Sequence, residues 1–189
     1  MHSINNPINT EVQRSHELYA LEIFNDFALK KEREKIRAYW LDLVNPTEVM
    51  HSCFETAFEE VMFGAVIWAL NQNPLSPKVT TISRVPHFNN GHSIPGSRWG
   101  IDNPDSIYRV IPVDAEQSYM ISGQLGRQQF NENHFTLWDL NMKTIGLISG
   151  QDLETDKDGF FEISVDSAAA RGRKNHIQTK SGAKEFYIR

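Results

Sequence analysis

The sequence predicts an α+β protein in which N-terminal helices pack on a mostly antiparallel, jelly-roll-like β-sandwich. Up to about residue 70, apolar side chains recur at the spacing of amphipathic helices. Beyond residue 77, short β-branched and aromatic runs alternate with turn residues. About 8–14 residues separate these runs, a spacing typical of sandwiches. We therefore expect a helical region over residues 1–77 and a β-sandwich over residues 78–189, which together form one compact unit.

The composition is that of an ordinary globular chain. Of its 189 residues, 40% are hydrophobic and 23% are charged, and a chain of this length can bury a sizeable core. The formal net charge of −5 does not favour nucleic acid as a partner, because nucleic-acid binders usually present a basic face. The single cysteine, Cys53, predicts a reducing, cytoplasmic location.

Neither a secretory signal nor a membrane helix is predicted. The first 16 residues lack the basic and apolar segments of a signal peptide. The most apolar run, residues 61–70, has about half of the roughly 20 residues that a membrane helix needs. We therefore expect a soluble protein without a membrane partner.

Residues 11–44 carry apolar side chains at helical spacing, among them Leu18, Phe24 and Trp40. Residues 30–35, KKEREK, mix charges of both signs within this segment. Such a run predicts either a solvated helix face or a break between two helices.

A second helical segment begins near residues 45–48, Asn-Pro-Thr-Glu, which resemble a capping box with Asn45 as the N-cap. A wide apolar stripe follows, and Pro74 predicts that the helix ends near residues 71–73. Because Cys53 lies on this stripe, we expect it to pack in a core rather than to take part in redox chemistry. The stripe consists of Val49, Cys53, Phe54, Ala57, Phe58, Val61, Met62, Ala65, Val66, Ala69 and Leu70.

Seven runs in the second half of the chain are predicted strands: residues 79–83, 106–113, 118–123, 134–140, 144–148, 160–165 and 185–189. Turn residues at 114–117 and 156–159 predict hairpins, the second ending in an Asp-Gly signal. The last run, EFYIR, reaches the end of the chain. It predicts an edge strand or a strand that continues, so we expect a second copy of the chain or a missing C-terminal part as its partner.

Metal, phosphate and cofactor sites are not predicted. Residues 152–163 carry acids at alternate positions like a calcium loop, but in a loop that begins at Glu154 the twelfth position falls on Val165, which cannot ligate. His87 and His92 lie in a loop-like HFNNGH segment, without the H-x-H pair of a cupin-type metal site. Residues 123–127, GQLGR, lack the spacing and the lysine of a phosphate-binding loop.

Residues 98–114, RWGIDNPDSIYRVIPVD, combine many polar side chains just before a β-like run. Asp102 and Asp105 can each accept backbone N–H groups in Asx-type turns, at on the order of 1 kcal/mol per bond. Arg98 and Arg109 have the reach to pair with these carboxylates. The same groups at the rim of a sandwich would also suit a polar ligand, so a structural and a binding interpretation both stay open.

Segments of this region resemble the bacterial family called domain of unknown function 1214. They are GIDNPDSIYR from residue 100, DAEQSYMISGQLG from residue 114, DGFFEISVDS from residue 158 and KNHIQTKSGAKEFYIR from residue 174. In the last of them, His176 stands where the family usually has Trp. The resemblance covers about residues 45–189 and implies a β-sandwich. It brings no established reaction and so assigns no catalytic residue. Family members usually extend beyond the final arginine, which implies a fragment or a short member.

We expect the protein to bind a small polar or amphipathic molecule at residues 98–109. Within this segment, Asp102 is expected to face the ligand, whereas Asp105 stabilises the turn by accepting the N–H group of Ile107 or Tyr108. The predicted ligand-binding residues are Arg98, Asp102, Asn103, Tyr108 and Arg109.

Two alternative functions stay open. In a hydrolase or lyase, Asp102 or Asp105 would act as general base and His87 or His92 as the acid. Such a carboxylate needs free lone pairs in a cleft, whereas a binding or structural loop saturates it with N–H groups and arginine. A subunit of a larger assembly is the other alternative, suggested by the wide apolar helix and the unfinished terminal strand.

Overall fold

The computed structural model describes residues 8–100, 102–103, 105–126 and 132–189, and its helices and antiparallel sheets confirm the α+β class. The chain divides into two compact units. The first contains the helices and the segment Val79–Ser106, and the second contains Gln72–Lys78 and Ile107–Arg189. The chain therefore passes between the units after residues 71, 78 and 106, whereas a single boundary was expected after residue 77.

Three helices form most of the first unit: α1 (Glu11–Phe24), α2 (Phe27–Val44) and α3 (Glu48–Leu70). The break between α1 and α2 lies at residues 25–26, whereas the charged run at 30–35 lies inside α2 on a mostly solvated face. Each helix begins at a residue whose side-chain oxygen accepts an N–H group of the first turn. These N-caps are Thr10, Asp26 and Thr47.

The helix start predicted at Asn45 is displaced by two residues. Thr47 is the N-cap of α3, and Asn45 is the C-cap of α2 in the left-handed conformation, with φ of 43°. Asparagine tolerates this conformation better than most residues do. The amide N–H of Asn45 donates to the carbonyl of Leu41, which ends α2.

Helix α3 supplies much of the apolar core of the first unit. Phe58, Phe63 and Ile67 are buried, and the ring of Phe63 meets that of Phe24 edge-on at a centroid distance of 5.3 Å. The N-terminal part of the predicted stripe is exposed, so the core role expected of Cys53 is wrong. The helix ends at Leu70, close to the predicted end.

Three short strands complete the first unit: β1 (Thr80–Thr81), β2 (His87–Asn89) and β3 (His92–Ile94). Strands β2 and β3 form an antiparallel hairpin. Its turn residues Asn90 and Gly91 both have positive φ, 49° and 84°, as an Asn-Gly hairpin turn requires. The HFNNGH segment, expected to be a loop, is therefore a hairpin, and its Asn-Gly pair is the sequence signal for it. Helix α1 packs against β1 and β3, which joins this segment to the helical unit.

The second unit contains two sheets. In one, β10 (Ala183–Ile188) lies between β4 (Arg109–Pro112) and β6 (His134–Asp139), and β7 (Thr144–Ser149) pairs with β6, all antiparallel. In the other, β8 (Phe160–Asp166) pairs antiparallel with β5 (Tyr119–Gln124) and parallel with β9 (His176–Gln178).

The two sheets of the second unit share one apolar core. The rings of Phe135 and Phe161, one from each sheet, meet edge-on at 5.3 Å between centroids. Because strand side chains alternate between faces, each sheet contributes every second residue to this core. Its buried members are Ile111, Val113, Ile121, Phe135, Leu137, Ile148, Leu153, Ile163, Val165, Ile177, Ala183 and Phe186.

Three details of the predicted β-region differ in the structure. Strand β10 is an interior strand, paired on both sides, and not an edge. The turn at 114–117 is present, with Asp114 accepting the N–H of Glu116 at 2.8 Å, but it connects strands of different sheets. The Asp-Gly turn at 156–159 is also present, with Gly159 at φ +82°, and leads into β8 without joining two paired strands.

No helix within the described ranges is long and apolar enough to cross a membrane.

Candidate functional site

A cavity of about 370 Å³ lies in the first unit, between α3 and the segments that precede and follow the β2–β3 hairpin. It contains three of the five predicted ligand-binding residues: Arg98, Asp102 and Asn103. Its lining residues are Glu60, Ser83, Arg84, Val85, Pro86, Ser97, Arg98, Gly100, Asp102, Asn103 and Ser106.

Arg98 is held against α3 by its backbone and by its side chain. Its amide N–H donates to the carbonyl oxygen of Glu60 at 3.2 Å, and its guanidinium forms an ion pair with the Glu60 carboxylate. The Glu60 side chain is only 12% exposed, whereas that of Arg98 is 47% exposed. One edge of the guanidinium is thus fixed by a buried carboxylate, and the other N–H groups remain available at the cavity.

Arg84 brings a second guanidinium to the cavity. An antiparallel bridge pairs Arg84 with Ser97, and each donates its N–H to the other's carbonyl, at 2.9 and 2.8 Å. The Arg84 side chain is buried and forms an ion pair with Glu17 of α1. Both guanidinium groups of the cavity are therefore balanced by buried carboxylates, and with Asp102 the lining contains as many acidic as basic side chains.

Glu17 is the centre of a buried polar network. Besides Arg84, its carboxylate accepts hydrogen bonds from Gln13 at 3.0 Å and Asn89 at 3.2 Å, and it lies 3.0 Å from the Nε2 atom of His87. Gln13 is one helical turn before Glu17, and His87 and Asn89 lie on the same face of β2. A buried carboxylate is tolerated here because it is paired and hydrogen-bonded.

The two candidate catalytic histidines do not line the cavity. His87 contacts Glu17 through Nε2 and the Val85 carbonyl oxygen through Nδ1 at 2.9 Å, so both ring nitrogens are engaged. His92 is exposed on β3. Among the described residues no histidine lines the cavity, so the predicted carboxylate–histidine pair is not assembled.

The structural role expected of Asp105 belongs to Asp102, which also lines the cavity. Oδ2 of Asp102 accepts the N–H groups of Trp99 at 2.8 Å and Gly100 at 3.4 Å, and so holds the turn. Asp105 is exposed, and its carboxylate makes no hydrogen bond or ion pair with the described residues. Its own N–H donates to Oδ1 of Asn103 at 3.0 Å. Ile101 and Pro104, part of the predicted motif, lie outside the described residues.

The remaining predicted ligand-binding residues belong to the second unit. Tyr108 is buried, and its ring lies 5.8 Å from that of Tyr187 between centroids. Arg109 begins β4, and burial lowers the pKa of its guanidinium below the ordinary value. Within the described part of the chain Arg109 forms no ion pair.

Sequence reasoning missed several lining residues, of which Ser83 and Glu60 are the most informative. The Oγ atom of Ser83 is buried and has no hydrogen-bond partner among the described residues. Glu60 faces inward although it lies next to an apolar stripe of α3. A charged side chain at an inward helical position is a signal that could have identified Glu60.

Nowhere in the described ranges do three His, Cys, Asp or Glu side chains come together as candidate metal ligands. The described lining of the cavity offers hydrogen-bond donors, acceptors and charged groups.

Comparisons with known proteins bear on the fold. No family model and no curated protein matches the chain. The crystal structure of an uncharacterized protein from Burkholderia cenocepacia is similar, with a TM-score of 0.66 and 16% sequence identity. The match covers 93% of this chain and 46% of the Burkholderia protein. This chain therefore spans less than half the length of the Burkholderia protein. At this identity the similarity establishes the fold alone.

Proposed function

We propose that the protein binds a small polar molecule in the cavity of the first unit. Two groups at the cavity carry this proposal: the half-exposed guanidinium of Arg98, and the buried hydroxyl of Ser83, which has no hydrogen-bond partner among the described residues. A buried polar atom without a partner is costly unless something satisfies it. A bound ligand would provide that partner.

The chemistry of the lining indicates the class of ligand. Arg98 offers N–H donors, whereas Asn103 and Asp102 offer acceptors beside the serine hydroxyls. Because acidic and basic side chains balance, the cavity favours a molecule that both donates and accepts over a strongly charged one. A volume of about 370 Å³ is near the lower end of known ligand sites, about 300–1,000 Å³. We therefore favour a small zwitterionic or hydroxylated molecule.

Binding is favoured over a hydrolase or lyase function at the same place. Oδ2 of Asp102 already accepts two backbone N–H groups, and no histidine lines the cavity among the described residues. A general base needs a free lone pair near an acid partner. His87 is engaged by Glu17 and Val85, so it is not positioned for that part.

A thermal-shift screen tests the proposal with amino acids, hydroxy acids and sugars as probes. We expect at least one class to raise the melting temperature of the wild-type protein. Ser83→Ala should weaken that binding without loss of stability, because the Ser83 hydroxyl makes no internal hydrogen bond among the described residues. Arg98→Gln should also weaken it. The matched control is Arg37→Gln, since Arg37 pairs with Glu55 on an exposed helix surface.

Two results would contradict binding in this cavity. One is a probe that binds Ser83→Ala and Arg98→Gln as tightly as the wild type. The other is equal loss of binding in Arg37→Gln, which would place the effect outside the cavity.

The assembly-subunit alternative has one supporting observation. Helix α2 contains no buried residue and exposes large apolar side chains, including Phe27, Tyr39 and Leu43. Light scattering after size-exclusion chromatography distinguishes the two functions: a strict monomer would count against assembly.

The proposal has three further parts. We propose that the chain is a member of the family called domain of unknown function 1214, that its sandwich is a jelly roll, and that the protein is cytoplasmic.

A further inference from the structure

A second cavity, of about 810 Å³, lies in the second unit beside the β5–β8–β9 sheet. It is separate from the cavity of the proposed ligand and draws on other residues. Polar and charged side chains from β8 and from the segment before β9 face it, among them Ser164, Asp166 and Arg173.

Ser164 and His176 form a hydroxyl–imidazole pair at this cavity. They are register partners in the parallel β8–β9 pairing, which brings their side chains next to each other. Oγ of Ser164 lies 2.9 Å from Nδ1 of His176. Ser164 lines the cavity, whereas the His176 side chain is 1% exposed and thus shielded from water.

A backbone carbonyl determines the tautomer of His176. Nε2 lies 2.8 Å from the carbonyl oxygen of Ala168, an atom that can only accept a hydrogen bond. Nη2 of Arg173, which can only donate, lies farther from Nε2, at 3.3 Å. The shorter contact favours a hydrogen on Nε2, and Nδ1 of the neutral ring then presents its lone pair to Ser164. In this tautomer the Ser164 hydroxyl donates to Nδ1 at 2.9 Å, in preference to the more distant carbonyl of Asn175 at 3.4 Å, which is the arrangement that a general base needs.

Charged groups flank this pair on both sides. Asp166 Oδ1 lies 4.0 Å from Nε2 of His176, and Nη2 of Arg173 lies 3.3 Å from the same atom, so the ring faces both members of an ion pair. Arg173 donates to both Asp166 oxygens, at 2.6 and 3.1 Å, and its Nη1 lies 3.4 Å from Ser164 Oγ. A guanidinium at that distance can stabilise an oxyanion that forms beside the hydroxyl.

We propose that Ser164 is a nucleophile that accepts acyl groups from small esters, with His176 as its general base. Oγ attacks the ester carbonyl carbon while its proton moves to Nδ1 of His176, and Arg173 faces the oxyanion. The C–O bond of the ester then breaks, and the alcohol leaves with the proton from Nδ1. Water attacks the acyl-serine by the same route and releases the carboxylic acid and free Ser164.

Incubation of the whole protein with p-nitrophenyl acetate tests this assignment. We expect acetyl transfer to Ser164, mapped by peptide mass spectrometry in the unaltered chain, together with release of p-nitrophenolate. Ser164→Ala should reduce that release to the buffer rate. His176→Gln should slow it by on the order of 10²–10⁴-fold. Ser118→Ala, which alters another serine of the same cavity, should react like the wild type.

Mapping the acetyl group in the wild-type chain makes the test independent of how the variants fold. The samples are quenched with acid during the first turnover, before water releases the acyl group. Absence of acetylation at Ser164 in them, or an acetyl group only on Lys174 at the same cavity, would overturn the proposal. Equal release by Ser164→Ala and the wild type would overturn it as well. The ligand screen above involves the other unit, so the two proposals fail separately.

Discussion

The carboxylate of Asp102 holds the turn after Arg98, because Oδ2 accepts the N–H groups of Trp99 and Gly100. Backbone N–H groups in such a turn lack secondary-structure partners, and a side-chain acceptor compensates for them. Asp105 has the same side chain but a solvent-exposed position. The two carboxylates differ in hydrogen bonding because the turn places Asp102 beside the N–H groups of Trp99 and Gly100 and places Asp105 in solvent.

Replacement of Asp102 should therefore destabilise the protein more than replacement of Asp105. We expect Asp102→Ala to lower the free energy of unfolding by about 1–2 kcal/mol, as for the loss of a helix cap. Asp105→Ala should remain within about 0.5 kcal/mol, as at most surface sites. Urea unfolding of both variants measures these differences. Equal effects would mean that the two carboxylates share the structural role.

Glu17 compensates the buried guanidinium of Arg84. Glu17→Gln removes this charge and should lower the free energy of unfolding by about 3–5 kcal/mol, because breaking one partner of a buried ion pair leaves an uncompensated charge. Glu32→Gln is the control, since Glu32 pairs with Lys35 on the surface and should contribute at most about 1 kcal/mol. A loss of similar size in both variants by urea unfolding would contradict the network.

Asp166 should titrate at unusually low pH. Hydrogen bonds from Arg173 lower the pKa of its carboxyl from 3.8 to about 2. A depressed pKa stabilises the folded state above the ordinary value, and this contribution is lost as pH falls from about 3.8 toward 2. Carbon-13 NMR of the carboxyl group measures the titration. Arg173→Gln should return it toward 3.8, whereas Arg171→Gln should not change it.

At the scale of elements, helix α3 packs closely against the backbone of Arg98. A Cβ atom at Gly64 would lie 2.5 Å from the carbonyl oxygen of Arg98. Backbone atoms at such a distance cannot yield without moving the segment. The glycine therefore allows the helix to position Arg98 beside the cavity.

Gly64→Ala tests this contact by the sign of its effect. In an unconstrained helix the change would stabilise by up to about 1 kcal/mol. Here we expect a net loss of about 1–3 kcal/mol in the free energy of unfolding, because overpacking displaces the backbone. Ala65→Gly at the exposed neighbouring position should lose only about 0.5–1 kcal/mol. A more stable Gly64→Ala variant would show that Arg98 is not held against the helix.

At the scale of the whole molecule, each unit has its own apolar core. Phe58 is buried in the first unit beside the rings of Trp40 and Phe54. Phe186 is fully buried in the second, on the interior strand β10. Neither core depends on a disulfide, because Cys53 is the single cysteine of the chain.

Phe58→Ala and Phe186→Ala should each lower the free energy of unfolding by about 3–5 kcal/mol, the usual effect of removing a buried ring. The matched controls are Phe27→Ala in the first unit and Phe160→Ala in the second, because both rings are exposed. Chemical denaturation measures all four variants. A loss below about 1 kcal/mol for Phe58→Ala would show that α3 does not pack through this ring.

Local patterns were enough to predict much of this molecule. The helices, their end near residue 70 and seven strands followed from periodicity, because one face of each element must be buried. Arg98, Asp102 and Asn103 were recognised as one polar segment, and all three line the cavity of the first unit. Residues close in sequence stay close in space, so this part of the site was visible from the chain alone.

Only the tertiary structure decided which distant side chains meet. Arg84 joins Glu17 across 67 positions of sequence, and Ser164 meets His176 because β8 and β9 pair in parallel. Strands 80–94 joined the helical unit because α1 packs on them. The turn geometry gave Asp102, rather than Asp105, the backbone N–H groups. Residue type and local spacing do not encode such pairings, which arise from strand register and packing over long separations.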